Sequence, residues 1–290
     1  MEAPGESTEQ GPAVAGDARH VDWLAFCRRT AEGVTSALQG FRSTDERSAT
    51  VGRGEGGDMT LVIDHAAEEA VFAELKALGV AVTAISEERG RVEIRGGGPT
   101  WVVIDPIDGS LNAKRGLPFH GLSIAVAEGQ TMADVQFGYV HDLSSGAEWW
   151  AELGGGARQD EAALATAGEG DRIELLGLET ARPDRVAANA DWLCRWDAER
   201  VRALGSVALS LCHVAAGGLD AALSLREIRS IDAAAAQLIV REAGGAVSFP
   251  DAGANLDEVS LTLEMRSRVV AGASVARLER ILSDLPAPAG

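Results

Sequence analysis

The sequence predicts an α+β protein in two halves: a sheet-rich half flanked by helices, then a half in which strands and helices alternate. Three observations carry this. Two segments near the start repeat apolar residues at helical spacing, a run of short β-rich segments separated by Gly-rich breaks follows, and after Gly154-Gly155-Gly156 strand-like and helix-like segments take turns. With 290 residues and 46% apolar content the chain can bury a sizeable core, and disorder is excluded for its bulk.

Residues 1–17, rich in Gly, Pro, Ala, Glu and Ser without periodicity, read as a disordered tail. Residues 18–153 form the N-terminal α+β half. In it Val21, Leu24, Ala25, Val34 and Leu38 mark one amphipathic helix, and Ala67, Val71 and Leu75 mark a second over Asp64 to Leu78. Strands are predicted at Thr100 to Ile104, Leu122 to Val126, Val135 to Val140 and Glu148 to Leu153. Residues 154–290 form the C-terminal α/β half. It holds a strand at Arg172 to Leu178, helices at Ser206 to Ala216 and Ala233 to Glu242, a late strand at Arg268 to Ala271 and a last helix. Gly244-Gly245 reads as the cap that ends the second of those helices. There is no internal repeat, and the halves make one domain.

The net charge of −18 leaves no basic field for nucleic acid or an anionic membrane. An acidic protein that handles phosphate must neutralise both itself and its ligand, and metal cations are the means. Cys27, Cys194 and Cys212 include no CxxC pair, so neither a disulfide framework nor a thiolate zinc site is readable, and a reducing compartment, the cytoplasm, is expected. The first residues have no basic or apolar leader pattern, and His213, Asp220 and Glu242 interrupt the most apolar stretches, so no membrane span is expected.

The chemistry concentrates in Trp101-Val-Val-Ile-Asp105-Pro-Ile-Asp108-Gly-Ser110. A buried strand delivers Asp105, Pro106 fixes φ, and Asp108 follows at i+3, so two carboxylates can converge. Gly109 and Ser110 stand where a helix or turn would begin, and backbone N–H groups there bind phosphate, while Asp oxygens are hard ligands suited to magnesium. A strand followed by a Pro-Asp-Gly turn explains the same residues without any chemistry. The other acids are equally open: Asp64 and Asp232 can serve as helix N-caps, and Glu87-Glu88 as a solvated loop pair. The glycines at 52, 54 and 57 satisfy GxGxxG, but no buried strand precedes them and no helix opens from them, so a dinucleotide site is rejected.

Three blocks, Gly57 to Glu69, Trp101 to Gly129 and Ile231 to Gly245, resemble in order and spacing the signatures of the inositol monophosphatase-like family of metal-dependent phosphatases. Ile85 to Glu88 is similar to that family's GEE loop, and Gly205 to Leu223 to its GS-A-L-VA-G-DA segment. The resemblance implies a layered αβαβα sandwich of the inositol monophosphatase/fructose bisphosphatase type, with the site between the halves. It implies two or three magnesium ions. Glu87, Asp105 and the Ile107 carbonyl would hold one, Asp105, Asp108 and Asp232 a second, and Asp64 would reach the site through water or a weaker third ion. Ser110 stands where the family has Thr; with Asp64 it would activate water, while the Gly109 and Ser110 N–H groups hold the phosphate.

Leu61 and Ile63 replace threonines common in the wider family, and with the Gly-rich stretch before them they resemble the archaeal-type fructose-1,6-bisphosphatase branch. The animal inositol enzymes carry a Glu and a WD pair where this chain has Arg226 and Ile231-Asp232, so Arg226 becomes the substrate-binding candidate and strict inositol specificity is not implied. Lys114 and Arg115 fit a solvated turn as well as a phosphate contact. The expectation is a magnesium-dependent phosphomonoesterase acting on a small sugar or inositol phosphate, inhibited by lithium and often dimeric as in the family. The alternatives are fructose-1,6-bisphosphatase as the main activity, and a non-catalytic regulatory or binding protein on the same scaffold.

Overall fold

The computed structural model describes residues 17–55, 59–166, 170–253 and 255–286. Apart from Asp17, which caps a short turn at Ala18–His20, the expected tail lies outside them. Helix α1 (Trp23–Leu38) starts at Asp22, whose carboxylate accepts the Ala25 N–H, and buries Phe26, Cys27, Ala31 and Val34 at helical spacing. A short helix α2 (Thr44–Ser48) and the ribbon β1 (Thr50–Arg53) and β2 (Met59–Leu61) lead into α3 (Val62–Ala77). There Ile63, Ala67, Val71, Phe72 and Leu75 form the stripe that packs on α1.

Strands β3 (Val82–Ser86) and β4 (Gly90–Ile94) form a hairpin that hydropathy did not reveal, because β4 alternates polar residues on an edge. Next come β5 (Trp101–Asp108), helix α4 (Ser110–Arg115), β6 (Gly121–Ala127), β7 (Val135–Asp142), β8 (Glu148–Glu152), β9 (Gly156–Gln159) and β10 (Ala162–Ala163). They join as one eight-stranded sheet in the order β10-β9-β8-β7-β6-β5-β3-β4. The Gly154–Gly156 break, expected to divide the halves at 153/154, is a hairpin turn inside this sheet: Gly154 and Gly156 take φ of 75° and 78°, which turns β8 back onto β9. The chain leaves the sheet only after β10.

The second half supplies β11 (Leu175–Glu179), α5 (Pro183–Ala188), α6 (Ala190–Leu193), β12 (Arg200–Arg202), α7 (Val207–Ala215), β13 (Ala221–Ser224), α8 (Ala234–Glu242), β14 (Ala246–Ser248), β15 (Val270–Gly272) and α9 (Val275–Asp284). Its five strands order as β12-β11-β13-β15-β14. Helix α7 buries eight of its nine residues, Ser210 among them, and a largely apolar helix buried on nearly every side belongs in the interior. With α8 it lies between the two sheets, in a core cluster drawn from both halves. Contact there is close: a Cβ on Gly138 of β7 would come within 2.5 Å of the Ala235 carbonyl oxygen on α8. The outer layers are α1 with α3 on one side, and α9 with the segment carrying Trp192 and Trp196 on the other. The result is the layered αβαβα sandwich expected.

Candidate active site

The site grows from a defect in β5. Between Asp105 and Asp108 the strand takes three steps while its partner β6 takes two, from Ser123 to Gly121. Pro106 has no N–H to contribute to the ladder, and the extra residue is a β-bulge. Positions three apart on a regular strand point to opposite faces; the bulge removes that alternation and lets Asp105 and Asp108 serve one site. Both are buried, at 3% and 8% exposure. Asp105 accepts the Ile107 N–H at 3.1 Å, and the Ile107 carbonyl accepts the Ser110 hydroxyl at 2.8 Å.

Helix α4 begins at Ser110 after Gly109, whose φ of 91° is left-handed. A side chain at 109 would meet the Phe119 carbonyl oxygen at 2.9 Å and the Gly205 carbonyl oxygen at 3.0 Å, so only glycine lets the chain turn here. The other half docks through the same place: Asn112 donates to the carbonyls of Phe119 and Leu204, both at 2.8 Å. From α7, the Ser206 hydroxyl and the Ala208 N–H donate to Asp108 Oδ2 at 2.5 and 2.6 Å, so the positive end of that helix faces the carboxylate. Ser206 is also the N-cap of α7, accepting the Leu209 N–H.

Asp64 is not an N-cap. The cap position of α3 is Leu61, and Asp64 lies in the helix's first turn with its Oδ1 buried without a hydrogen-bond partner. Asp232 is not one either: Ala233 holds the cap position of α8, and Asp232 Oδ2 accepts the Arg229 N–H at 2.9 Å. Glu87 stands in the β3–β4 turn and is ion-paired to the Arg229 guanidinium. Glu88, beside it, accepts the Thr60 hydroxyl.

Glu87, Asp105, Ile107, Asp108, Gly109, Ser110, Arg226 and Asp232 all line one cleft of about 780 Å³, with Asp64 behind them against Ser110. Lys114 and Arg115 do not line it. Burial, then the charges of Asp108, Glu87, Asp232 and Asp64, hold the Asp105 carboxyl well above its usual range. Asp108 is pushed up to about 8 by burial and Asp232, against the relief given by Ser206 and Ala208. Asp64 rises to about 7 through burial, opposed by the Ser110 hydroxyl and reinforced by Glu87 and Glu88. Asp232 rises to about 6, mainly from burial.

With the side chains as they stand, no group of three or more His, Cys, Asp or Glu among the described residues is arranged to hold a metal ion. The carboxylates take protein donors instead. The donor set nevertheless fits a hard divalent cation. Every candidate is oxygen, Asp64 Oδ1 is buried without a hydrogen-bond partner, and the mutual repulsion that raises these carboxyls is what a cation would relieve.

Sequence reasoning missed Glu179. At the end of β11 it is 3% exposed and accepts from Leu204 N, Gly205 N and the Ser210 hydroxyl, fixing the loop before α7 against the cleft. A lone acid closing an apolar strand, Leu175-Leu-Gly-Leu-Glu179, was the available signal. Arg182 and Arg266, also on the cleft wall, carried no motif.

The model of the inositol monophosphatase family matches residues 22–287. The chain is 37% identical over 276 residues to a fructose-1,6-bisphosphatase/inositol-1-monophosphatase of Methanothermobacter thermautotrophicus, covering 91% of this chain and 96% of that one. It is 33% identical to an inositol-1-monophosphatase of Mesorhizobium japonicum, covering 69% and 75%. The crystal structure of an inositol monophosphatase-fructose 1,6 bisphosphatase superposes with a TM-score of 0.78 at 26% identity, covering 91% of this chain and all of that one. The described residues contain no helix long and apolar enough to cross a membrane. Sequence and fold thus agree along nearly the whole chain: it belongs to the inositol monophosphatase family and is a phosphoric monoester hydrolase.

Proposed function

We propose that this chain is a magnesium-dependent phosphatase that releases phosphate from a small sugar or inositol phosphate by direct attack of water on phosphorus. The observation that carries the reading is the convergence of Glu87, Asp105, Asp108, Ser110 and Asp232 on one cleft with Asp64 behind it, six residues from four separate segments. Glu87, Asp105, the Ile107 carbonyl, Asp108 and Asp232 would hold two or three magnesium ions, which when bound neutralise phosphate charge and lower the pKa of water.

The chain's own residues do the rest. Gly109 and Ser110 offer backbone N–H groups to the phosphate oxygens at the start of α4. Asp64, which burial raises to about 7 in the metal-free protein, is the carboxylate placed to accept a proton from water. The Ser110 hydroxyl donates to the Ile107 carbonyl and acts on the Asp64 carboxylate, and from that place it would help orient the attacking water. Positioning and charge neutralisation dominate phosphoryl transfer, and this cleft supplies both without a nucleophilic side chain.

A second reading, fructose 1,6-bisphosphatase as the main activity, is favoured by Arg182, Arg226, Arg229 and Arg266 on the cleft wall, more positive charge than one phosphate needs. The family habit supports a homodimer, which sedimentation of the purified chain tests. Released phosphate should be measured over a panel of sugar and inositol phosphates, with magnesium and with excess chelator. Turnover that persists in chelator would overturn the metal reading, and no turnover of any ester would favour a non-catalytic scaffold.

A further inference from the structure

Glu68 is a carboxyl buried at 1% exposure that does not line the cleft. It stands one helical turn after Asp64, on the buried face of α3. Its two oxygens go to two different residues: Oε1 accepts the Ser86 hydroxyl, and Oε2 accepts Arg89 Nε at 3.1 Å. Ser86 ends β3, and Arg89 is the last residue before β4, so Glu68 grips the β3–β4 turn on both sides of Glu87 and Glu88. Arg89 is held to the same helix twice more, by the Glu69 carboxylate and by the Phe72 ring, whose centre lies 4.5 Å from the guanidinium carbon. Glu88 is tied to the β1–β2 side, its carboxylate to the Thr60 hydroxyl and its carbonyl to the Glu55 N–H. Glu87 lies between these anchors and faces the cleft.

We propose that Glu68 is a positioning residue: it clamps the turn that carries Glu87 to the helix that carries Asp64, and so sets where Glu87 meets a cation in the cleft. The inference rests on the metal-dependent reading above and adds to it a residue that touches neither metal nor phosphate. A buried carboxylate is costly unless its oxygens are paired, and packing alone at position 68 would be met better by an apolar side chain. What the carboxylate adds is direction. Two hydrogen bonds of fixed geometry, one to each end of a three-residue turn, locate that turn in a way that apolar contact does not. Asp64 and Glu87 then move as one unit, although they come from different elements.

Titration calorimetry with magnesium alone on the full chain tests this, for wild type, Glu68→Met, Ser86→Ala and the double variant, with urea unfolding in chelator to establish that each is folded. Methionine matches the length of the glutamate without its acceptors, and Arg89 keeps Glu69 as a partner. Glu68→Met should bind magnesium about tenfold or more weakly, and Ser86→Ala about threefold or more weakly, because a group that orients a metal ligand acts on affinity without touching the metal. Ser86→Ala changes no charge, so its loss reports position and not attraction. The double variant should bind as Glu68→Met does, since both substitutions break one link. A purely structural role would lower the urea midpoint and leave the magnesium affinity of the folded protein unchanged. If Glu68→Met does not fold, Ser86→Ala decides by itself. Ser86→Ala that binds magnesium as wild type does, or losses that multiply in the double variant, overturns the inference and leaves the metal-dependent reading standing. A wild type that binds no magnesium, and releases no more phosphate with it than without, overturns that reading and the inference with it.

Discussion

Asp108→Asn separates the chemistry of the cleft from the stability of the fold. An unfolded aspartate of pKa 3.8 is ionised at pH 7, whereas in the fold Asp108 is pushed up to about 8. At 1.36 kcal/mol per unit, the metal-free fold loses on the order of 4 kcal/mol at pH 7, mostly as the cost of taking up the proton that the unfolded aspartate has given up. The cost is shared with Asp232 and Glu179, whose charges act on Asp108. The amide keeps an acceptor for Ser206 and Ala208, but its NH2 needs a partner in a buried site, which offsets about 1–2 kcal/mol. The net gain is about 2 kcal/mol, or roughly 3–6 °C in melting temperature.

The sign across pH follows from the raised value. A carboxyl whose folded pKa lies above its unfolded one contributes stability below pH 4 and loses it as pH rises through about 8. Wild type in chelator should therefore weaken relative to Asp108→Asn from pH 4 to 8, and the difference should level off above that. Saturating magnesium should reverse the order, because wild type gains ligand stabilisation that the variant, short of one ligand, does not. Urea unfolding at pH 4.5, 7 and 8.5, with and without magnesium, measures this, and phosphate release should fall about 100-fold or more. A variant less stable than wild type at pH 8.5 in chelator, or one fully active, would refute the reasoning.

Three further substitutions probe the cleft. Arg226→Ala should raise KM for fructose 1,6-bisphosphate about 10-fold or more and leave inositol 1-phosphate nearly unchanged, read as kcat/KM on both; equal losses would make monophosphatase the better name. Asp64→Asn should lower kcat with little change in KM, and a variant that keeps wild-type kcat near pH 7 would remove Asp64 from proton transfer. Gly109→Ala should cost about 1–3 kcal/mol of stability, because a Cβ at φ 91° meets the Phe119 and Gly205 carbonyl oxygens; denaturant unfolding at wild-type midpoint would show that the turn tolerates it.

The sequence by itself determined the elements whose signal is local. The 3.6-residue stripes of α1 and α3, the largely apolar α7, and the strands β5 to β8 were legible because each element's own residues set its periodicity and burial. So was the Asp105-Pro-Ile-Asp108-Gly-Ser110 stretch, though not that Pro106 sits in a bulge within the strand. The family signatures gave Asp64, Glu87 and Asp232 as partners. Only the tertiary structure decided the rest. Glu87 meets Arg229 across 142 residues of chain, and Asp108 meets the start of α7 across 98 and 100, contacts that depend on the stacking of two sheets around α7 and α8. Glu179 escaped for the same reason, whereas β4 was hidden by its polar alternation and Gly154–Gly156 reads as a linker as readily as a hairpin turn. Residue spacing records which face of an element is apolar, whereas which elements face one another is set by the order of strands and the close packing of layers.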